Sequence, residues 1–351
     1  MRPTVSLKSV AAAGAMALTL ALSASAVPTA AGAATTPHAK LTIRLGFQPN
    51  VTHATDLVAL HNGFFAAAVG SNVSVSATGF NAGPDEVTAL LGGQLDAAFL
   101  GPVPAISAFQ VSGGQYQIVA GAGSGGAAFV VKPYIKVAKN LKGKTVSSPQ
   151  LGNTQDIALR VWLKSKGLST SIGGGGDVSI NPQPNSQIVT AFQANAIAGA
   201  WVPQPYVAEL VADGGHVLVN EASLWPNGRF ATNVLVVNKG FLKAHPQAIK
   251  HLILGELNAI AQINANKVGA EAEVNAAIKF YAGKALKPAI MHAALQAVAL
   301  TYDPIAPSID KDAVNAYKLT FLKTANVKGM YNVTLLNQLL VAEHKAPVIP
   351  Q

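Results

Sequence analysis

The amino-acid sequence predicts an α/β protein of two lobes, each a mainly parallel sheet flanked by helices, with a hinge between the lobes. Strand-like and helix-like segments alternate after residue 40, a rhythm typical of parallel sheets covered by helices. The alternation restarts near residue 137, which indicates a second, smaller unit. Apolar strand-like segments near residues 130 and 235 flank this unit, and two such connections make a hinge.

These observations assign residues 40–133 and 232–345 to lobe I, with residues 137–225 inserted as lobe II. In lobe I, Lys40–Phe47 alternates apolar and polar residues like a strand, and His53–Ala68 has the spacing of a helix. The chain from Lys239 onward reads mostly as helix and is expected to return to lobe I. The remaining predicted strands are residues 72–80, 96–101, 116–123, 127–132, 144–149, 177–181, 196–202, 216–220 and 232–238.

The N-terminus has the pattern of a secretory signal peptide over residues 1–33. Two basic residues precede an apolar run, and small-residue cleavage sites follow at Ala24–Ala26 and Ala31–Ala33. A membrane anchor is the alternative, although the run is short for a span. The chain has no cysteine, which excludes disulfides and lipidation at a cysteine. We therefore expect a soluble periplasmic or secreted protein, cleaved between Ala26 and Ala33.

The composition favours a packed globular protein with no nucleic-acid partner. Half of the 351 residues are hydrophobic and only 12% are charged. The formal net charge is +9, or about +7 without Arg2 and Lys8 of the predicted signal peptide. The remaining lysines are scattered and form no arginine-rich stripe, so a solvated basic surface explains them better than nucleic-acid binding. A monomer is expected.

The segment Gly121–Val131 contains the glycine spacing G-x-G-x-x-G, which can mark a dinucleotide-binding loop. That loop requires a helix after the glycines and an acidic residue about twenty positions later. Here an apolar, strand-like run follows, and Val137–Ser147 has no carboxylate. We interpret Gly121–Gly126 as a turn that lines a cleft beside a hinge strand.

The loops at the predicted strand ends are rich in glycine and in small, neutral hydrogen-bond donors. Helix starts offer unpaired N–H groups and a partial positive charge, and several aimed at one point can bind an anion without an arginine. Thr52, Ser124, Asn153 and Thr154 add donors to these loops. Asp85, Glu86 and Asp156 are the acidic exceptions, and we expect them to face away along their helices. The alternative is that Thr52 and Asn153 only cap helices and the glycines only make turns.

Patterns of catalysis and metal binding are missing from the sequence. The eight histidines are dispersed, with no H-E-x-x-H spacing. The residues around Ser124 do not form a G-x-S-x-G elbow. His53 has no evident acidic partner, so a hydrogen-bond donor to an anion or a surface histidine is favoured over a general base. We expect no catalytic residues, no metal and no cofactor.

Several segments of the sequence, and the order in which they occur, resemble the substrate-binding proteins of ABC importers for aliphatic sulfonates, nitrate and taurine. They include "LGFQPNVTHATDLVALHNGFF", "FNAGPDEVTALLGGQLDAAFLGPVPAI", "LKGKTVSSPQLGNTQDIALRVWL" and "ANAIAGAWVPQPYVAELV", and the resemblance covers about residues 40–345. It implies a type II periplasmic-binding-protein-like fold, with Trp201 as a wall for an apolar tail. A glutamate common in the family is replaced by Gln204. The ligand-binding residues that the resemblance implies are Asn50, Thr52, His53, Gly101, Pro102, Ser124, Gly125, Gly152, Asn153, Thr154 and Trp201.

The function expected from this resemblance is capture of a small organic anion, with an aliphatic sulfonate favoured, and its delivery to an ABC permease. Closure of the lobes about the hinge would bury the ligand. Nitrate, taurine or a thiamine-type pyrimidine are alternative ligands. An enzyme of the same fold acting on a small acid is the alternative from another class.

Overall fold

The computed structural model describes residues 40–350, so the predicted signal peptide lies outside the described residues. The described chain is an α/β structure whose strands form two separate sheets flanked by helices, which confirms the predicted fold class. We call the elements around the six-stranded sheet the first lobe and those around the five-stranded sheet the second lobe. In this part of the chain, no helix combines the length and apolar character needed to cross a membrane.

The first sheet has the strand order β11-β4-β10-β3-β1-β2 and is mixed rather than parallel. Strand β1 pairs in parallel with β2 and β3, whereas β10 runs antiparallel to both β3 and β4. The prediction of parallel-type sheets is wrong for β10 because this strand arrives from the other lobe. The strands of the first sheet are β1 (Leu41–Phe47), β2 (Val73–Gly79), β3 (Ala97–Leu100), β4 (Tyr116–Gly125), β10 (Ala231–Asn238) and β11 (Val298–Leu300).

The second sheet has the strand order β7-β6-β8-β5-β9 and is also mixed. Strand β6 pairs in parallel with β7 and β8, while β5 runs antiparallel to β8 and β9. The prediction placed β5 in lobe I, but the strand pairs only in the second sheet. The strands are β5 (Ala127–Val131), β6 (Thr145–Ser148), β7 (Ser179–Pro182), β8 (Gly199–Pro203) and β9 (His216–Asn220).

The helices cover both faces of each sheet. Predicted helix His53–Ala68 is divided at Gly63, which has φ 77° and separates α1 from α2. The helices are α1 (Ala54–His61), α2 (Phe64–Val69), α3 (Gly83–Leu91), α4 (Pro102–Val111), α5 (Thr154–Ser165), α6 (Asn185–Gln193), α7 (Tyr206–Ala212), α8 (Lys239–Ala244), α9 (Pro246–Ala265), α10 (Glu271–Ala282), α11 (Pro288–Gln296), α12 (Ala306–Lys318) and α13 (Thr334–Ala342).

The packing of strand β10 explains why its sequence is apolar on both faces. Leu235 and Val237 join the core shared with α1, α2 and α9, whereas Val234 and Val236 face the core shared with α3, α4 and α12. All four side chains are at most 1% exposed. A strand covered by helices on both faces carries a continuous apolar run rather than an alternation.

The chain passes between the sheets twice. The first passage is at Gly126, between β4 and β5, where both Gly125 and Gly126 have positive φ, near 75°. The second lies between β9 and β10, through short turns of 3-10 helix at Glu221–Leu224 and Pro226–Gly228. A strand follows the glycines, as predicted. The turn itself is only Gly125–Gly126, because Gly121 and Gly123 lie within β4.

Candidate functional site

The starts of α4 and α5 meet where the two lobes touch. The Val103 N–H of α4 donates to Oγ1 of Thr154, the first residue of α5, at 3.3 Å. Asn153 caps α5, since its side-chain oxygen accepts from the Thr154 N–H at 2.7 Å. Gly101 precedes α4 so closely that a Cβ there would lie 2.7 Å from Thr154 Oγ1. The structure therefore brings Gly101, Asn153 and Thr154 together across the lobes.

Pro102 follows Gly101 as the first residue of α4. A proline at this position has the backbone angle that a helix start needs and removes a donor that the helix would leave unpaired. Gly101 lies close against Thr154, and Pro102 has no N–H. The N–H that donates to Thr154 is therefore that of Val103. Pro102 thus shapes the start of α4 and donates nothing itself.

Asn50 and Thr52 form a local cap after β1. The Asn50 side-chain oxygen accepts from both the N–H and the hydroxyl of Thr52, at 3.0 and 2.6 Å. Thr52 also packs on the hinge, because a Cβ on Gly126 would lie 3.2 Å from the Thr52 methyl group. Both side chains are buried, so in this conformation they organise the loop beside the hinge turn.

Ser124 and Gly125 line a cavity of about 490 Å³ at the hinge, which we call the hinge cavity. Gly126, Gln204 and Asn220 also line it, so both lobes contribute. Two basic residues, Arg229 and Lys267, contribute positive charge. Among the described residues that line the cavity there is no carboxylate, so the hinge cavity suits an anion.

The two basic residues of the hinge cavity are held differently. Lys267 is half-buried, and burial lowers its pKa. Its amino group donates to the Val298 carbonyl at the edge of β11, at 2.5 Å. Arg229 is exposed and pairs with Asp303 at 3.0 Å. An anion in the cavity would therefore meet one cation partly removed from water and one that is already partnered.

His53 has an acidic partner, which the sequence prediction missed. Its Nδ1 lies 3.1 Å from Oδ2 of Asp56, one helical turn further on, and both side chains are buried. Burial raises the pKa of Asp56, and His53 opposes that rise. Asp56 also accepts from the Asn233 amide at 2.9 Å. Since His53 is only 2% exposed, the pair fixes the start of α1 in this conformation.

Glu86 and Asp156 point inward, contrary to the expectation that they face away, whereas Asp85 is exposed. Glu86 is fully buried, accepts from the Gln48 amide at 2.7 Å and has a pKa raised well above its usual range by burial. Asp156 accepts from the Gly152 N–H at 2.9 Å, from the Ser148 hydroxyl and from Arg160. Gly152, with φ 76°, therefore belongs to a loop organised by Asp156.

Trp201 lies in the core of the second lobe, so the structure does not place it as a wall of the cleft. Its side chain has no exposed surface and stacks on Phe129 with ring centroids 5.7 Å apart. Its Nε1 donates to Glu221 at 2.7 Å. Trp201 is the central residue of β8, and its side chain joins the core cluster with Trp162.

Five polar residues of the hinge cavity were missed by sequence reasoning: Asn220, Asn227, Arg229, Lys267 and Gln296. Three of them lie in or beside the irregular second passage between the lobes, and Lys267 follows a long helix. Asn220 caps the 3-10 turn at Glu221–Leu224, and none of the others occupies a helix start or a recognisable motif. Asn220, Asn227 and Arg229 have only their proximity to the predicted return strand near residue 235 as a sequence signal, and Lys267 and Gln296 have no such signal. Within residues 40–350 no group of three or more side chains is placed to hold a metal ion.

The model of the NMT1-like family matches residues 36–279. A Brucella abortus (strain 2308) protein, to which a binding role is assigned only provisionally, is 26% identical over 231 residues, which are 61% of this chain and 69% of that protein. The alkanesulfonate-binding protein SsuA from Xanthomonas axonopodis pv. citri, bound to MOPS, superposes with a TM-score of 0.67 at 17% identity, covering 81% of this chain and 95% of that one.

Two further solved structures have the same fold. The periplasmic nitrate-binding protein NrtA from Synechocystis PCC 6803 gives a TM-score of 0.71 at 17% identity, covering 86% of this chain and 88% of that one. A mutant of DSZB in complex with biphenyl-2-sulfinic acid gives a TM-score of 0.61 at 15% identity, covering 86% of this chain and 99% of that one. At such identities these likenesses establish the two-lobed fold alone.

Proposed function

The chain belongs to the NMT1-like family, and from this premise we propose that it is an extracytoplasmic solute-binding protein for a small organic anion. Delivery of the anion to an ABC permease in the membrane would follow capture. No chemistry would be performed on the ligand. We expect the protein to act as an exported monomer, and the sequence contains no cysteine that could be lipidated.

The observation that carries this proposal is the hinge cavity, with two cations and no carboxylate among the described residues that line it. Neutral donors from Ser124, Gln204 and Asn220 surround the same space. Its volume of about 490 Å³ lies in the range of small-molecule sites. A charge pattern of this kind favours an anionic group attached to a small organic body.

Contacts between the lobes support a closing mechanism. Besides the bond between Val103 and Thr154, the Gln150 amide of the second lobe donates to Asp85 of the first at 3.0 Å. Both are single hydrogen bonds at the lobe boundary, each with a modest net contribution of about 1 kcal/mol. Val103 of the first lobe and Ile157 of the second are also buried together in an apolar cluster. These contacts favour the closed arrangement, and a ligand held by both lobes would add to them and shift the equilibrium further toward the closed form.

An aliphatic sulfonate is the favoured ligand. Three sulfonate oxygens match a site with two cations and several neutral donors, and the cavity leaves room for a short apolar tail. SsuA and NrtA share the fold and are named for sulfonate and nitrate binding, so nitrate stays an alternative, as do taurine and a thiamine-type pyrimidine. A neutral pyrimidine would leave the charges of Lys267 and Arg229 unused.

The enzyme alternative has one feature in its favour, the buried pair His53–Asp56. A general base must reach its substrate, yet His53 is 2% exposed and bonded within its own loop. A cysteine nucleophile is excluded by composition. We therefore propose binding without turnover.

The test is a thermal-shift screen of purified residues 34–351 with alkanesulfonates, sulfate, nitrate, taurine and a thiamine-type pyrimidine, with product analysis of every mixture. Saturation at about 100 times the dissociation constant should stabilise the protein by roughly 2.7 kcal/mol. A sulfonate should give the largest rise in melting temperature and no product.

Lys267→Gln should reduce the sulfonate-induced rise, measured against the ligand-free melting temperature of the same variant. Lys243→Gln, an exposed lysine on α8, is the matched control and should respond like the unmodified protein. Equal responses of both variants would remove Lys267 from the site. Product formation, or a shift with the pyrimidine alone, would overturn the proposed function.

A further inference from the structure

A second and larger cavity, of about 930 Å³, lies between α5 of the second lobe and α12 of the first. We call it the α12 cavity. It is bounded by the second passage between the lobes, and it meets the hinge cavity only at Asn227 and Arg229. None of the ligand-binding residues predicted from the sequence lines it. Its chemistry is the reverse of that of the hinge cavity.

Two buried carboxyl groups line the α12 cavity. Glu221 is 2% exposed and accepts from Trp201 Nε1 at 2.7 Å. Asp312 of α12 is 7% exposed, and among residues 40–350 no donor forms a hydrogen bond with its carboxyl group. Asp312 is therefore a buried acid that lines an open space without a partner. A buried, unpaired polar group is costly unless something satisfies it.

Aromatic rings stand beside these carboxyl groups. Trp162 and Trp225 both line the cavity, together with apolar residues such as Val161 and Ile305. Indole faces attract cations, and the attraction grows when the cation is removed from water. An apolar space with indole walls and buried acids is the combination that binds ammonium-type groups.

We propose that the α12 cavity is a second ligand site, for an organic cation that carries a protonated amine or quaternary ammonium group on an apolar body. Asp312 would pair with the cation, Glu221 would add charge, and the indoles of Trp162 and Trp225 would contact its body. This site is separate from the anion site proposed above, and either can fail without the other.

The other charged groups around the α12 cavity do not cancel these acids. Arg229 is paired with Asp303 at 3.0 Å, and both are more exposed than Asp312. Lys311 lines the cavity but is exposed to solvent, where its charge is screened. Tyr331 lies near Asp312 and is bonded to Asp310 at 2.7 Å. The two buried groups are both acidic.

Binding at this site should depend on pH. Burial raises the pKa of Glu221 to about 7 and holds the pKa of Asp312 well above its usual range, with Glu221 adding to the rise. A cation favours the ionised carboxylates, so binding should release protons. The affinity for a cation should therefore increase from pH 6 to pH 8.

The experiment uses choline and benzyltrimethylammonium as probes and 3,3-dimethylbutan-1-ol as the neutral isostere of choline. Tryptophan fluorescence reports on the site, because the three tryptophans of the chain are Trp162 and Trp225 in the lining and Trp201 bonded to Glu221. A cation should cause a saturable change at pH 8, and the neutral isostere should not.

Asp312→Asn keeps the shape of the side chain and should weaken cation binding by roughly tenfold. Asp310→Asn, on the same helix but outside the cavity lining, is the matched control and should bind like the unmodified protein. Circular dichroism and the melting temperature without ligand show that each variant is folded. Absence of a saturable change with both cations, equal binding of the neutral isostere, or an unchanged affinity in Asp312→Asn would each overturn the proposal.

Discussion

Gly101→Ala is the sharpest perturbation of lobe closure, because Gly101 faces Thr154 across the boundary between the lobes. Gly101 has φ −68° and ψ 160°, a backbone conformation that alanine adopts without strain. The new methyl group would lie 2.7 Å from Thr154 Oγ1 and 3.7 Å from its Cβ. The substitution should therefore leave each lobe folded and act only when the lobes meet.

The magnitude follows from the overlap. Ordinary van der Waals contact begins at 3.4 Å, so the methyl group is about 0.7 Å too close to the hydroxyl oxygen. Overpacking of this kind costs about 1–3 kcal/mol. If ligand binding requires this closed form, the affinity should fall roughly 5- to 150-fold.

The assay is calorimetric titration with the anion that stabilises the protein most. Thr154→Ala alone should weaken binding by about 1–3 kcal/mol through loss of its hydroxyl group. In Gly101→Ala/Thr154→Ala the clashing oxygen is gone, and the two methyl groups are at ordinary contact distance. The double variant should then bind at least about 1 kcal/mol more tightly than the sum of the single effects predicts. Additive effects, or unchanged affinity in Gly101→Ala, would refute the reasoning.

Three further predictions concern single positions. Glu221→Gln should remove a loss of stability that depends on pH, because folding raises the pKa of the Glu221 carboxyl from 4.5 to about 7. The stability contributed by this carboxyl is fully present below pH 4.5, and about 3 kcal/mol of it is lost as the pH rises to 7. Urea unfolding at pH 4 and pH 8 should show this loss in the unmodified protein and not in the variant. Asn153→Ala should cost about 1 kcal/mol of stability through loss of the α5 cap, whereas an unchanged urea midpoint would contradict the capping role. Gly126→Ala should impair both folding and binding, since φ is 75° and a Cβ would lie 2.6 Å from the Val298 side chain; normal expression and melting temperature would argue against a strained turn.

The alternation of strands and helices could be predicted from the sequence, because β1 alternates apolar and polar residues and β10, which helices cover on both faces, carries a continuous apolar run. The sequence was also sufficient to predict two passages between the lobes. Strand β5 was assigned to the wrong lobe, since pairing partners depend on contacts far along the chain. The direction of β10 relative to its neighbouring strands was predicted wrongly for the same reason.

The candidate site was harder to predict than the fold. Trp201 is the central residue of β8 rather than a residue at its end, and its side chain takes the buried face, which the sequence alone does not reveal. Lys267 and Arg229 converge on the hinge cavity from segments without a motif. Glu86 was expected to face away from the protein, and Asp56 was not recognised as the partner of His53. Both errors arose because the sequence of a helix start does not reveal which of its first residues faces inward. Such facts depend on tertiary packing.

The most direct test of the account is the distance between the lobes, measured with and without an anion. Thr88 on α3 and Lys164 on α5 are exposed and lie in different lobes, and the chain has no cysteine of its own. Thr88→Cys/Lys164→Cys can therefore carry a pair of spin labels at defined positions. A sulfonate should convert a broad or longer distance distribution into one short, narrow distribution, and Gly101→Ala should oppose the change. A distribution that no anion alters would contradict capture by closure of the two lobes.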